Sequence, residues 1–432
     1  MSSNAYETYQ YRGKELFVED VPVRAIAERV GTPVYIYSGQ KIKSQFHKFD
    51  KAFAGAQHLV CFAMKSNSNL AVLSLLGHLG AGVDIVSVGE LFRAHRAGVP
   101  GHRIVFSGVG KTEEEIAAAI KAGILMFNVE SEEELDAINR VAGRLRKPAP
   151  VSIRVNPDVA VDTHHKITTG KAENKFGVPF EEAEALYKKA YGLPWLKIVG
   201  IQSHIGSQIT DVRPYRQTLE KVLGLVGRLE ALGIYLHVVD IGGGLGVTYK
   251  EENPPPPSEL AKVLLPLLKA RNFKLLFEPG RFLVAEAGCL VTKVLYRKET
   301  RHKNFVIIDA AMNDLARPAL YDAYHPIWPV RKGAGRSYVA DVVGPVCESG
   351  DYLAKARALP RPDQGDFLAV LAAGAYGFSM SSQYNARPRA AEVLVMGKQW
   401  WVVRERESLH DLIHGEKIPA ALGARAKKRA RP

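Results

Sequence analysis

The sequence contains few cysteines and no long apolar run. Its 432 residues include three cysteines, Cys61, Cys289 and Cys347, which are too few and too scattered for a disulfide framework or a zinc site. Cys61 and Cys289 lie in apolar runs, where a small buried thiol is expected, whereas Cys347 has polar neighbours. No stretch of about 18 uncharged apolar residues occurs, and residues 1–20 lack the apolar segment of a secretory signal. We therefore expect a cytoplasmic protein without a membrane span.

Aromatic residues are absent from the most basic part of the chain, its last residues, 421–432. The formal net charge is +13, and the tail contributes the basic residues Arg425, Lys427, Lys428, Arg429 and Arg431 without an acid among them. Because nucleic-acid sites usually combine basic and aromatic side chains, we expect a disordered, solvated tail and no nucleic-acid partner. Attraction of the tail to RNA or to a membrane surface is the alternative. The moderately basic remainder suits anionic ligands such as carboxylates and phosphates.

Strand and helix patterns alternate regularly after residue 38. The eight strand candidates are 59–63, 82–85, 103–106, 125–129, 151–155, 199–204, 238–241 and 275–278. Eight strands separated by helices predict an α/β fold of the (β/α)8 barrel type. A doubly wound open sheet is the alternative, but its phosphate loop normally follows the first strand, whereas the glycine cluster of this chain follows the seventh.

Amphipathic helix patterns separate these strands. They cover 70–79, 89–97, 112–122, 131–142, 180–191, 212–232 and 258–270. Thr112, Ser131 and Ser258 stand at the start of three of them, and their side-chain oxygens are of the type that accepts a bond from the first free backbone amides. We therefore expect these three residues to be helix N-caps.

The pattern changes after Arg281 to short pieces rich in β-forming residues. They lie at 289–296, 304–308, 337–343, 367–371, 392–396 and 399–403. A leader with strand patterns at 16–18 and 33–37 and a helical pattern at 25–30 precedes the barrel. We predict a barrel domain at 38–281, a mainly β domain built from 1–37 and 282–420, and the tail at 421–432.

Polar side chains follow several predicted barrel strands, at the face where barrel enzymes place their active sites. Lys65 follows the first strand, and burial there would disfavour its ammonium form and prepare it for Schiff-base chemistry; a strand that simply reaches solvent is the alternative. Glu278 is suited to face a pyridine-like nitrogen or to pair with Arg281, and His204 to stack on a ring or to serve as an ordinary strand-end histidine. The glycines at 242–246 suit an anion cradle or a tight turn.

Seven motifs occur together in a characteristic order: FAMKSN at 62–67, GVDIVSVGEL at 82–91, HIGSQ at 204–208, GGG at 242–244, EPGR at 278–281, CESGD at 347–351 and GAYG at 374–377. This set resembles the diaminopimelate decarboxylases, pyridoxal-phosphate enzymes with an alanine-racemase-like barrel. The resemblance extends from about Tyr35 to Tyr384. Ser66 stands where the family commonly has alanine, and the basic tail has no counterpart.

The resemblance implies a cofactor, pyridoxal 5'-phosphate, and roles for individual residues. Lys65 would bind the cofactor covalently, Glu278 would pair with its ring nitrogen, His204 would stack on the ring, and Cys347 would return a proton to the α-carbon. The further cofactor-binding residues implied are Asp84, Ser207, Gly243, Gly244, Gly280, Arg281 and Tyr376. The substrate-binding residues implied are Arg281, Arg317, Tyr321, Glu348 and Tyr376. Residues 165–170 and 175–177 resemble an active-site loop.

The implied reaction is the decarboxylation of meso-2,6-diaminopimelate to L-lysine, the last step of lysine biosynthesis. The planar forks of Arg281 and Arg317 suit a substrate with a second carboxylate, and Glu348 suits its second ammonium. A decarboxylase of ornithine, arginine or carboxynorspermidine is the first alternative, and a non-catalytic homologue is the second. The resemblance also implies a homodimer in which the loop that contains Cys347 reaches into the neighbouring barrel.

Overall fold

The chain starts with a small sheet and one strand that joins a larger sheet further along. The computed structural model describes residues 7–159, 175–269, 271–333 and 337–422. Its first elements are β1 (Tyr9–Arg12), β2 (Glu15–Val18), β3 (Val21–Pro22), α1 (Val23–Val30) and β4 (Val34–Ser38). The strand and helix patterns predicted in the leader are thus confirmed to within two residues.

A closed barrel of eight parallel strands follows, as predicted. Its elements are α2 (Gly39–Ala52), β5 (His58–Ala63), α3 (Leu70–His78), β6 (Gly82–Ile85), α4 (Val88–Arg96), β7 (Ile104–Phe106), α5 (Glu113–Ala122), β8 (Met126–Val129), α6 (Glu132–Leu145), β9 (Ala149–Asn156), β10 (Val178–Pro179), α7 (Phe180–Tyr191), β11 (Leu196–Gln202), α8 (Arg213–Ala231), β12 (Val238–Asp240), α9 (Pro257–Leu268), β13 (Lys274–Phe277) and α10 (Arg281–Val284). The strands pair in the order β5, β6, β7, β8, β9, β11, β12 and β13. The ring closes where Phe277 of β13 lies opposite Val60 of β5.

Local signals define the ends of several barrel helices. The Thr112 hydroxyl accepts from the Glu115 N–H at 3.2 Å and the Glu115 carboxylate accepts from the Thr112 N–H at 3.1 Å, so a capping box starts α5. Ser131 caps α6 through its hydroxyl alone, which accepts from the Glu134 N–H at 3.3 Å. The third predicted cap, Ser258, is wrong: α9 begins at Pro257, whose missing N–H needs no partner at the first helical position.

The second part of the chain forms a mainly β layer. Its elements are β14 (Gly288–Glu299), β15 (Asn304–Ile308), α11 (Arg317–Tyr321), β16 (Ile327–Pro329), β17 (Ser337–Val343), β18 (Tyr352–Pro360), β19 (Phe367–Val370), β20 (Ala391–Met396), β21 (Gln399–Arg404) and α12 (Leu409–Leu412). Strand β4 lies between β14 and β20 in this sheet. The leader therefore completes the β layer, as predicted, because its buried strand Val34–Ser38 pairs with β14 on one side and β20 on the other.

Two long elements were missed from the sequence. Helix α2 was missed because few of its residues are apolar and buried, chiefly Ile42, Phe46 and Phe49, within a run of lysines and glutamines. Strand β18 was missed because its pattern is broken by exposed residues around Ala356, where the backbone has a positive φ of 45°. The proposed domain limits, 38–281 for the barrel, stay a prediction.

Other predictions fall partly or wholly outside the described residues. The tail at 421–432, except for Ala421 and Leu422, and the first part of the predicted active-site loop, residues 165–170, lie there. Within the described ranges, no helix combines the length and the apolar composition needed to cross a membrane.

Candidate active site

A cavity of about 780 Å³ lies at the carboxyl ends of the barrel strands and is covered in part by the β layer. Ten residues that the sequence assigned to the site line it: Lys65, His204, Ser207, Gly244, Glu278, Gly280, Arg281, Arg317, Tyr321 and Tyr376. Most follow a barrel strand directly, because parallel strands bring their carboxyl ends to one face. Arg317, Tyr321 and Tyr376 reach the same cavity from the β layer.

Lys65 lies in the short 3-10 turn that follows β5. Its Nζ is 3.4 Å from Oδ2 of Asp84, a carboxylate buried at the end of β6. Desolvation in the cavity lowers the pKa of Lys65, but the acidic groups around it, Asp84 first among them, outweigh this effect and hold the pKa above that of an ordinary lysine. The expectation that burial would remove the Lys65 proton is therefore wrong, because the Lys65 side chain is 43% exposed and Asp84 stabilises its ammonium form.

Glu278 follows β13 and is held by amide side chains. Its Oε1 accepts from Nδ2 of Asn128 at 3.0 Å and its Oε2 accepts from Nε2 of Gln202 at 3.1 Å. Burial, followed by the charges of Asp240 and Asp84, raises the pKa of Glu278 well above its usual range. Burial also raises the pKa of the neighbouring Asp240, so both carboxyl groups ionise less readily than an exposed carboxyl group.

His204 is half-buried in the wall of the cavity. Burial lowers the pKa of its imidazole well below the usual range, and the positive charges of Arg154 and Lys65 lower it further. Its Nδ1 accepts a hydrogen bond from the Gly243 N–H at 3.1 Å, so the ring is neutral and its proton is on Nε2. A neutral, fixed imidazole suits stacking against a planar ring.

The glycine triplet after β12 is required by close packing between loops. Gly244 has a φ of +107°, and a Cβ built on it would lie 2.5 Å from the carbonyl oxygen of Gly206. The Gly244 carbonyl accepts from the Ile209 N–H at 2.8 Å, which joins this loop to the loop after β11. Gly244 lines the cavity, and Gly243 lies beside it with its N–H on His204.

Two buried arginines face the cavity together. Arg281 donates from Nη2 to the hydroxyl of Ser207 at 2.9 Å and from Nη1 to the phenol oxygen of Tyr249 at 2.7 Å. The Arg317 guanidinium lies 4.6 Å from the centre of the Tyr249 ring. Each arginine is only 6% exposed, and neither forms an ion pair with a carboxylate in the described parts of the chain. The alternative ion pair between Glu278 and Arg281 is thus not formed. Because buried charges are normally paired, the two guanidiniums suit an anionic ligand.

Comparison with known proteins gives the family. Residues 39–285 match the family model described as the pyridoxal binding domain of pyridoxal-dependent decarboxylases. The chain is 52% identical over 414 residues to the diaminopimelate decarboxylase of Pseudomonas aeruginosa, an alignment that covers 95% of this chain and 99% of that protein. The chain belongs to the diaminopimelate decarboxylase family.

Solved structures of the family share the fold. Diaminopimelate decarboxylase from M. jannaschii in co-complex with L-lysine superimposes with a TM-score of 0.92 at 40% identity and covers 97% of this chain and 99% of its own. The enzyme from Helicobacter pylori complexed with L-lysine gives a TM-score of 0.88 at 44% identity, with 90% and 98% of the two chains covered. The predicted barrel with a mainly β second layer is therefore confirmed.

Two residues that the family resemblance assigns to the site lie outside the cavity of their own chain. Cys347 and Glu348 follow β17 on an exposed loop. The Cys347 N–H donates to Oδ1 of Asn385 at 2.9 Å, and Glu348 accepts from the Tyr384 hydroxyl at 2.9 Å. Buried Asp351 fixes the base of this loop by accepting from the Val346 N–H at 2.8 Å. The roles assigned to the predicted site residues, these two included, stay predictions.

Sequence reasoning missed several residues that shape the cavity. Asn128 and Gln202 bind Glu278 from the ends of β8 and β11, and the strand-end argument that found Lys65 applies to both. Tyr249 follows the glycine loop and lies between the two arginines. No sequence pattern predicts this position, because it depends on how separate loops pack.

Part of the predicted active-site loop is described. Lys175 and Phe176 line the cavity, and the Phe176 ring lies 4.9 Å from the Arg154 guanidinium. The Gly177 N–H donates to Glu130 at 2.9 Å, and Glu130 also pairs with Arg154 at 2.9 Å. This end of the loop is thus fixed at the rim of the barrel.

Proposed function

We propose that the chain catalyses the pyridoxal-phosphate-dependent decarboxylation of meso-2,6-diaminopimelate to L-lysine and carbon dioxide. The observation that supports this most strongly is the pair of buried guanidiniums, Arg281 and Arg317, in the cavity that also contains Lys65 and Glu278. Two unneutralised cations suit two anionic groups, a cofactor phosphate and a substrate carboxylate. Family members with L-lysine bound support the same substrate class.

The residues present fit the cofactor. Nε of Arg281 is buried without a hydrogen-bond partner among the described residues, which marks a position for an acceptor. Lys65 would bind the cofactor covalently, His204 would lie against its ring, and Ser207, Gly243, Gly244, Gly280, Arg281 and Tyr376 would surround its phosphate. When bound, pyridoxal phosphate supplies an electron sink for the bond to the departing carboxylate.

Glu278 is suited to keep a ring nitrogen protonated. Its pKa is raised by burial and by neighbouring carboxylates, and its carboxyl group could share a proton with a basic ring nitrogen placed beside it. Asn128 and Gln202 fix both of its oxygens. Asp84 would act separately by holding the amino group of Lys65 near the reacting centre.

Substrate recognition follows from charge. Arg317, with Tyr321 and Tyr376 near it, would bind the carboxylate that is not lost, and Glu348 would bind the second ammonium. Decarboxylases of ornithine or arginine need an acid where this cavity presents Arg317, so a dicarboxylate suits the site better. Cys347 would return a proton to the α-carbon after carbon dioxide leaves.

A two-fold homodimer would complete the site. Cys347 and Glu348 are exposed and do not line the cavity of their own chain, and a symmetric dimer would place each loop at the partner's barrel. The cytoplasmic location and the absence of a nucleic-acid partner stay predictions.

Substrate profiling of the purified chain with added pyridoxal phosphate tests the function. We expect L-lysine and carbon dioxide from meso-diaminopimelate, and little turnover of ornithine, arginine or carboxynorspermidine. The Lys65→Ala variant is the control for contaminating activity. Faster turnover of any of the other three substrates, or no lysine from a protein that binds the cofactor, would overturn the proposal.

A further inference from the structure

His325 lies behind Arg317, on the side away from the cavity. Its ring is fully buried, with 0% exposure, and it packs edge-on against Tyr249 with ring centres 5.5 Å apart. The position lies between α11 and β16 in the sequence. No role was assigned to it from the sequence.

The hydrogen bonds of His325 fix its tautomer. Nδ1 lies 2.8 Å from the carbonyl oxygen of Leu371, and because a carbonyl only accepts, Nδ1 must bear the proton. Nε2 is then an acceptor, and Nη1 of Arg317 donates to it at 2.9 Å. Burial lowers the pKa of His325 well below the usual range, and Arg317 lowers it further, so the ring stays neutral and keeps this acceptor.

The backbone around His325 is rigid. The Leu371 N–H donates to the Pro326 carbonyl at 2.8 Å, while the His325 ring donates to the Leu371 carbonyl, so the two segments are joined in both directions. The His325 carbonyl also accepts from Nη1 of Arg357 at 2.7 Å. The imidazole is therefore an acceptor in a fixed position, held by Leu371, which follows β19, and by Arg357 of β18.

We infer that His325 is a positioning residue, which aims the Arg317 guanidinium at the carboxylate that the substrate keeps. The inference rests on the proposed function, because it assigns Arg317 a substrate carboxylate. The guanidinium of Arg317 lies over the Tyr249 ring, and its Nη1 donates to His325. These two contacts fix the plane and the rotation of the guanidinium, so its remaining N–H groups point in one direction. An arginine without this acceptor would keep its charge but lose that direction.

Two substitutions separate the hydrogen bonds of the ring. In His325→Asn the amide nitrogen replaces Nδ1, so the bond to Leu371 stays and Arg317 loses its acceptor. In His325→Gln the amide oxygen replaces Nε2, so Arg317 keeps an acceptor and Leu371 loses its donor. Each variant loses one buried hydrogen bond, so both should be destabilised to a similar extent. A difference in substrate affinity between them therefore reports the bond to Arg317 and not a general loss of stability. His58→Asn, at the opposite end of the barrel, is the control for a histidine substitution elsewhere.

The measurements are the KM for meso-diaminopimelate and the inhibition constants of L-lysine, which keeps the carboxylate, and pentane-1,5-diamine, which lacks it. For His325→Asn we expect the KM and the lysine constant to rise about tenfold, the loss typical of one hydrogen bond to a charged group. The diamine constant, kcat and the cofactor spectrum should change little. His325→Gln should stay much closer to wild type.

Three results would each overturn the inference. The first is an equal loss of lysine affinity in the Asn and Gln variants, and the second is a rise in the diamine inhibition constant of His325→Asn equal to the rise in its lysine constant. The third is an unchanged KM and an unchanged lysine constant in His325→Asn. A double-mutant cycle with Arg317→Lys adds a second test, since the two substitutions must be non-additive if His325 acts through Arg317. If wild-type protein fails to decarboxylate diaminopimelate, the proposed function fails instead. Lysine binding by the same variants then still tests the His325 contact.

Discussion

The barrel face and the loop that contains Cys347 hold their predicted site residues in different ways. Lys65, His204 and Glu278 converge in one cavity within a single chain, whereas Cys347 and Glu348 lie exposed outside it. Parallel barrel strands end on a common face, so the topology itself brings their following residues together. The topology does not bring a loop between strands of the β layer to this face. Such a loop can take part in a site only if another surface packs against it.

The β layer contains residues of both kinds, some that line the cavity of their own chain and some that lie outside it. Arg317 begins α11 and is 6% exposed, in contact with Tyr249 of the barrel loop. Tyr376 also reaches the cavity, and its N–H donates to the Ser66 carbonyl at 2.8 Å. The β layer therefore contributes substrate-binding groups to its own chain's site and, in our proposal, the proton donor to the partner's site.

The largest expected effect is at Lys65. Lys65→Ala removes the amine proposed to bind the cofactor, so we expect turnover to fall about a thousandfold or more. Borohydride reduction followed by peptide mapping should label Lys65. Three lysines among the described residues line the cavity, Lys65, Lys175 and Lys250, so Lys175→Ala is the matched control and should keep the label. A label on Lys175 or Lys250 would end the assignment.

Glu278→Gln should have the next largest effect. The amide keeps the shape of the side chain but has no carboxyl group to keep a ring nitrogen protonated, so we expect kcat to fall about a hundredfold with cofactor still bound. Glu286→Gln is a control, because Glu286 pairs with Lys41 away from the cavity. Near-normal kcat in Glu278→Gln would contradict the proposed role.

Arg317→Lys should affect binding more than chemistry. The lysine keeps the positive charge but loses the two parallel donors, so we expect the KM for diaminopimelate to rise about tenfold with a smaller change in kcat. An unchanged KM would mean that the substrate carboxylate is bound elsewhere, and Arg281 would be the next residue to test.

The smallest effect concerns the stability of the barrel. Ser131 caps α6 through its hydroxyl, whereas Ser258 lies inside the first turn of α9. Ser131→Ala should therefore lower the free energy of unfolding by about 1 kcal/mol, and Ser258→Ala by much less. Urea unfolding of both variants measures the difference, and equal losses would show that the cap geometry does not matter.

The sequence predicted the barrel better than the arrangement within the site. Hydrophobic strands and capped helices are local features, and all eight strands were found within a few residues of their bounds. The partners of Glu278 were missed although Asn128 and Gln202 end barrel strands, since the strand-end argument was not extended to them. The raised pKa of Lys65 and the contact between His325 and Arg317 depend on distances across the fold, which no local pattern encodes.

Subunit exchange tests most directly whether the barrel of one chain and the Cys347 loop of its partner form one site across a dimer. Lys65→Ala and Cys347→Ala proteins are mixed in equal amounts and exchanged, which gives mixed dimers with one intact site and one doubly defective site. With random exchange about a quarter of wild-type sites should be restored. If Cys347 serves the barrel of its own chain, every site lacks one residue, and activity that stays at the level of the parent variants after verified exchange would contradict the shared site.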